Sequence, residues 1–215
     1  VFTPMGSIAY ALAAGNAVVF KPSEYTPSVG KAFVDAFNEV VTEQPVLQLV
    51  TGLGETGAAL CRAGVGKIAF TGSTRTGKKV MAACAETLTP VLMECGGKDA
   101  MIVDDDADVV AAADAALWGG MANAGQTCIG IERVYVTERS YDGFLAALKE
   151  KVAKVEAGTS YGNITMPSQV DIIRDHIADA LSHGGTTVAG GHIEGTLVEP
   201  TVLVDTPEHS RAVQE

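Results

Sequence analysis

The run Lys67-Ile68-Ala69-Phe70-Thr71-Gly72-Ser73-Thr74-Arg75-Thr76-Gly77 decides how this chain reads. Lys67–Thr71 has the apolar character of a short strand, and Arg75–Glu86 has the spacing of a helix. A strand fed through a brief Gly-Ser turn into a helix is the unit of an α/β fold with a largely parallel sheet. The same junction is an anion site in outline. Free N–H groups of the first helical turn, the Ser73 hydroxyl and the positive end of the helix dipole meet there. Ser73 or Thr74 would serve equally well as an ordinary N-cap, and the residues alone leave both readings open.

The alternation continues on either side. Strands are expected at Ala17–Lys21, Val46–Val50, Pro90–Glu94, Ala100–Val103 and Arg133–Thr137. Helices are expected near Met5–Ala14, Ser28–Val41, Glu55–Arg62, Ala107–Met121, Ser140–Ala157 and Pro167–His183, followed by apolar segments at Thr186–Ala189 and Val198–Val204. The character changes near Glu94–Lys98, where helices lengthen and loops gain glycine. That change predicts two domains, residues 1–95 and 96–215.

Composition narrows the function classes. The 215 residues are 47% hydrophobic, enough for a sizeable core, and 15 basic against 26 acidic residues give a formal charge of −11. That balance argues against nucleic-acid and anionic-membrane partners, which select for basic surface. Asp104, Asp105, Asp106 and Asp108 lack the Gly and distal Glu of a calcium loop and read as a solvated turn, so no metal is expected. Cys61, Cys84, Cys95 and Cys128 form no CxxC pair and read as reduced thiols of a cytoplasmic protein. The apolar opening Val1–Ala14 has no basic leader and is too short to span a bilayer. The chain begins with Val in the middle of an element, which reads as a segment of a longer protein.

Three further junctions carry chemistry. Gly52, Gly54 and Gly57 follow a strand and open a helix, satisfying the dinucleotide glycine pattern, but no acidic residue ends the next strand to hold a ribose. Lys21 and Glu24 stand at the carboxyl end of a strand, where open α/β sheets bind ligands, though a plain surface ion pair fits as well. Glu94 ends an apolar strand before Gly96 and Gly97, and Cys128 follows Asn123-Ala124-Gly125-Gln126-Thr127 at the end of a long apolar helix. A thiol beside glycine at a helix end can be exposed and nucleophilic, with a carboxylate as general base; a buried one would be inert.

Taken together, Val18–Glu24, Gly52–Gly57, Phe70–Gly77, Glu94–Lys98 and Gly125–Cys128 resemble the aldehyde dehydrogenase superfamily across nearly the whole chain. The resemblance implies an α/β protein with a Rossmann-like parallel-sheet cofactor domain and an α/β catalytic domain, both incomplete. It implies that Cys128 attacks an aldehyde, that hydride passes to NAD, and that Glu94 activates the water hydrolysing the resulting thioester. Lys21 and Glu24 match the adenosine-ribose contacts. Glu24 then favours NAD, while Lys21 keeps NADP use open. Gly72 and Ser73 take the pyrophosphate, and the Gly52–Gly57 turn shapes the adenine cleft. Met121, Thr127 and Ile129 line the substrate path. Cys95 stands where the family usually has Leu and reads as core packing.

The same resemblance places an oxyanion-hole Asn upstream of Val1 and an "EEIFGP"-type block after Glu215, so the expected whole enzyme is longer and homo-oligomeric. Two alternatives accompany this reading: a CoA-acylating semialdehyde dehydrogenase, against which Glu94 argues, and a catalytically incomplete nucleotide-binding segment. A Cys/His hydrolase is a more distant alternative. His176, His183, His192 and His209 lie late in the chain without a matching motif, and read as surface or helix-capping residues.

Overall fold

The computed structural model describes residues 2–215; Val1 lies outside the described residues. The chain divides into two compact units, Val1–Gly96 and Gly97–Glu215.

In the first unit, α1 (Phe2–Ala13) leads into β1 (Val18–Phe20), α2 (Pro27–Val40), β2 (Leu47–Leu49), α3 (Gly54–Cys61), β3 (Ile68–Gly72), α4 (Thr74–Ala85) and β4 (Val91–Cys95). β1 runs parallel to β2, with Val18 opposite Leu47. β3 runs parallel to β4, with Ile68 opposite Val91 and Thr71 opposite Glu94. Pro27 opens α2 in the first turn, where its missing N–H costs nothing. The helix then lays Val34 into a core with Ile8 and Leu47, flanked by Phe20, Phe33 and Phe37. The Phe20 and Phe33 rings meet edge to face at 6.4 Å. Leu47 is fully buried, and removing such a side chain from water stabilises by about 2 kcal/mol. Gly30 allows the closest approach: a Cβ there would fall 2.6 Å from the Pro22 Cβ.

The second unit begins with β5 (Asp99–Val103) and α5 (Val109–Met121), then a 3-10 turn (Ala122–Gly125), β6 (Ile131–Val136), α6 (Glu138–Val152) and α7 (Pro167–Ser182). β7 (Thr186–Ala189), β8 (Ile193–Glu194), β9 (Leu197–Val198), β10 (Val202–Val204) and α8 (Arg211–Gln214) complete it. β5 and β6 are parallel, while β7–β10 and β8–β9 are antiparallel pairs. Apolar residues four apart on α6, namely Phe144, Leu148 and Val152, pack with Ala113 and Ala116 of α5 and Val103 of β5 into one core. Asp108 caps α5, accepting from Val110 N at 3.0 Å and Ala111 N at 3.1 Å. The acidic turn thus has a local structural use. The Ser140 hydroxyl donates to Asp104 O at 2.9 Å, tying the start of α6 to that turn.

The fold is the α/β class expected, with parallel-sheet pieces. Several boundaries differ from the sequence reading. α1 starts earlier, at Phe2, because Pro4 is harmless in a first turn. α6 spans Glu138–Val152 rather than Ser140–Ala157, since its apolar stripe ends at Val152 and Gly158 turns the chain with φ +90°. The Val198–Val204 segment is two strands, broken around Pro200, which cannot donate to a ladder. The short β8 and α8 carry too few residues to show a period.

Among the described residues, no helix is long and apolar enough to cross a membrane, and no group of three or more His, Cys, Asp or Glu could hold a metal ion.

Candidate active site

Cys128 sits in the second unit between the 3-10 turn and β6, and its side chain is exposed. The backbone leading to it is unusual. Asn123 and Ala124 have φ 55° and 59°, followed by Gly125 at φ 73°, three consecutive left-handed residues of which two carry a Cβ. Each non-glycine residue in that region costs about 1–2 kcal/mol, and such strain persists only where the surroundings over-determine it.

Here the surroundings are specific. The Asn123 Nδ2 donates to Gln126 O at 3.1 Å, and Gln126 Nε2 donates back to Asn123 O at 3.0 Å. Gln126 Oε1 accepts from Thr165 N at 2.8 Å, pinning the elbow to a distant segment of the same unit. Glycines let the elbow lie on the end of α5: a Cβ on Gly125 would stand 3.1 Å from Gly120 O, and one on Gly119 would meet Ile131 Cδ1 at 2.5 Å. Met121 is the last residue of α5, Thr127 is half-buried, and Ile129 is 77% exposed beside the thiol. Lys98 and Glu132 form an ion pair in this unit.

Asn123, Gln126 and Thr165 were not singled out as functional from the sequence. The first two lay inside the quoted cysteine stretch; Thr165 left no local signal, because its role is a backbone N–H aimed across the fold.

In the first unit, Lys21 follows β1. Its Nζ donates to Pro22 O at 2.9 Å and lies 3.8 Å from a Glu24 carboxylate oxygen. The Lys21 stem is largely buried, whereas Glu24 is 44% exposed and free to accept further donors. Gly57 faces that stem, and a Cβ there would stand 4.0 Å from Lys21 Cδ. Lys21, Glu24 and Gly57 are therefore brought together. Gly52 has φ +149°, and a Cβ would collide with Thr56 Oγ1 at 2.0 Å, so this turn demands glycine for its own shape.

At the next junction Ser73 is the N-cap of α4, a 12-residue helix. Its Oγ accepts from Thr76 N at 3.3 Å and donates to Thr76 Oγ1 at 3.1 Å. Gly72 closes β3, where a Cβ would crowd the Phe70 ring at 2.7 Å. Glu94 is exposed on β4, opposite Thr71, while its neighbours Met93 and Cys95 turn toward Gly77, the Cys95 Sγ 3.3 Å from the position of a Cβ there. Cys95 is thus packed against α4 and Cys128 is exposed. Cys61 and Cys84 are buried. Of the histidines, His183 ends α7, its Nδ1 donating to Asp179 O at 2.8 Å.

The chemistry of these groups fits a nucleotide cofactor. A half-exposed carboxylate at a strand end accepts from ribose hydroxyls, and the N–H groups of a long helix's first turn suit a phosphate.

The chain matches the aldehyde dehydrogenase family over residues 1–215. It is 38% identical over 209 residues to a 4,4'-diapolycopene aldehyde oxidase of Methylomonas sp, covering 95% of this chain and 39% of that protein. A glutarate-semialdehyde dehydrogenase of Pseudomonas aeruginosa is 40% identical over 211 residues, 93% of this chain and 44% of that one. Among solved structures, a lactaldehyde dehydrogenase superposes with a TM-score of 0.92 at 34% identity, over 97% of this chain and 46% of that one. The chain belongs to the aldehyde dehydrogenase family. It spans between 39% and 46% of the length of these relatives.

Proposed function

We propose that this chain carries the cofactor-binding and nucleophile-bearing parts of an NAD-dependent aldehyde dehydrogenase. The observation that carries the reading is the exposed Cys128 thiol, presented on a strained, hydrogen-bonded elbow in a chain whose other three cysteines are packed away. The thiol of Cys128 adds to the carbonyl carbon of an aldehyde, forming a C–S bond and a thiohemiacetal. Bound NAD supplies the acceptor for the hydride whose loss turns that adduct into a thioester. Glu94 takes a proton from water, the hydroxide attacks the thioester carbon, and the carboxylic acid leaves as the Cys128 thiol is restored. Gly96 and Gly97, directly after Glu94, give its strand end the freedom to serve this late step.

Glu24 accepts from the 2′- and 3′-hydroxyls of the adenosine ribose and repels a 2′-phosphate. Lys21 tempers that repulsion, which leaves NADP as a weaker alternative. The α4 N-terminus at Gly72 and Ser73 holds the pyrophosphate, and Gly52–Gly57 shapes the adenine cleft. Met121, Thr127 and Ile129, neutral and mid-sized, admit a small to medium aldehyde. A semialdehyde is favoured, since one relative is a glutarate-semialdehyde dehydrogenase. Four free thiols suit a reducing cytoplasm, and the whole enzyme is proposed to be a homo-oligomer.

The test is the pre-steady-state burst of reduced nicotinamide on mixing the chain with NAD and a panel of aldehydes, Cys128→Ala alongside. A burst that disappears in the variant supports the reading. Retained NAD binding without any burst would reduce the chain to a cofactor-binding segment.

A further inference from the structure

The ion pair between Lys98 and Glu132 stands at a junction that the chemistry above leaves unexplained. Gly96, Gly97 and Lys98 join β4 to β5 without regular structure, and a Cβ on Gly96 would meet nothing within 4 Å. Adjoining glycines in open space let the chain on either side swing. Lys98 ends that freedom. Its side chain is only 19% exposed, and its ammonium is seated on the Glu132 carboxylate at the start of the neighbouring parallel strand, β6. Water screens this pair less than the open Lys31–Asp35 pair on α2, whose side chains are 65% and 52% exposed.

Glu132 is a firm partner. Asp99 lies opposite Ile131 in the β5–β6 ladder, and Ile131 packs so closely on α5 that a Cβ on Gly119 would fall 2.5 Å from its Cδ1. The elbow bearing Cys128 is held separately, by the Gln126 bonds to Asn123 and Thr165. Along the chain, Glu94 precedes Lys98 by four residues and Cys128 precedes Glu132 by four. Breaking the pair therefore frees the linker after Glu94 and leaves the thiol on its own supports.

We propose that Lys98 is a positioning residue for Glu94: its ion pair with Glu132 limits the play of the Gly96–Gly97 linker, and so governs thioester hydrolysis rather than thiol attack. This rests on the function proposed above. Lys98 exchanges no proton in that scheme; Glu94 takes the proton from water, and Lys98 restricts the strand end that carries it.

The test mixes the protein with NAD and an aldehyde that gives a burst, quenches in acid and weighs the Cys128 peptide for acylation. Lys98→Met is compared with Lys98→Arg, Glu132→Gln, the exchanged pair Lys98→Glu/Glu132→Lys, and Glu94→Gln. For Lys98→Met and Glu132→Gln the expected result is an unchanged burst, turnover slower by about 10- to 10²-fold, and acylated Cys128 accumulating as in Glu94→Gln. Lys98→Arg keeps turnover, and the exchanged pair recovers part of it. Slow turnover in Glu94→Gln beside normal turnover in Lys98→Met and Glu132→Gln overturns this inference and leaves the proposed function standing. A burst that falls together with turnover, or a loss that the exchanged pair does not recover, overturns it as well. Normal hydrolysis in Glu94→Gln, or no turnover in the unsubstituted protein, overturns the proposed function and this inference with it. If circular dichroism shows Lys98→Met unfolded, Glu132→Gln and the exchanged pair decide.

Discussion

At the scale of single residues, Cys128 differs from the other cysteines in its surroundings rather than its chemistry. Cys61 and Cys84 are buried, Cys95 faces Gly77, and only Cys128 among the four is exposed. Cys128→Ala is expected to lower aldehyde oxidation on the order of 10⁴-fold or more while leaving NAD binding unchanged, as checked by steady-state rates beside a binding titration. Gln126 acts on the thiol through the backbone. Gln126→Ala removes its bonds to Asn123 O and Thr165 N, and with them part of what holds two left-handed residues in place. A misplacement near 1 Å costs about 10² in rate, so kcat should fall by about that factor. The rate of iodoacetamide labelling of Cys128 should change in parallel, while a variant that merely unfolds would lose its circular dichroism as well.

At the scale of elements, the helix ends carry the measurable energies. Asp108→Ala leaves Val110 N and Ala111 N without their acceptor and should destabilise the chain by about 1 kcal/mol in urea unfolding. Calcium should not alter that loss, because the Asp108 carboxylate is spent on the two N–H groups of α5. The α3–α4 seam adds a pH dependence. Burial first, and the neighbouring Cys84 next, push the Cys61 thiol up, so the folded chain keeps this proton where the unfolded chain has lost it. Its stabilising contribution is full below the ordinary thiol range and declines as pH rises through that range toward the raised folded value. The urea midpoint should therefore drop between neutrality and about pH 10, and Cys61→Ala should remove part of the slope. An unchanged slope in the variant would place the pH dependence elsewhere, for instance on Tyr161, which burial also pushes up.

At the scale of the molecule, the chain's single Trp is a reporter: Trp118 on α5 is 77% exposed. Its emission should resemble that of a water-exposed indole and be quenched strongly by iodide; protection from iodide would mean that another chain covers α5 in solution. Much at this scale was legible in advance. The strand–turn–helix junctions at Gly52 and Gly72 and the α/β class follow from periodicities of two and of about three and a half, and these involve residues close in sequence. The family was legible for the same reason, since its motifs are short continuous blocks. Other features became visible only once the chain was folded. Gln126 reaches Thr165, the Ser140 hydroxyl reaches Asp104 O, and one cysteine of four stays in solvent. Each depends on which distant segment arrives beside which, so no local pattern encodes it. The sequence by itself determined the elements, their order and the chemical groups on offer; tertiary packing decided which groups are spent on structure and which remain free to react, because exposure and long-range hydrogen bonding belong to the folded assembly of segments rather than to any one of them.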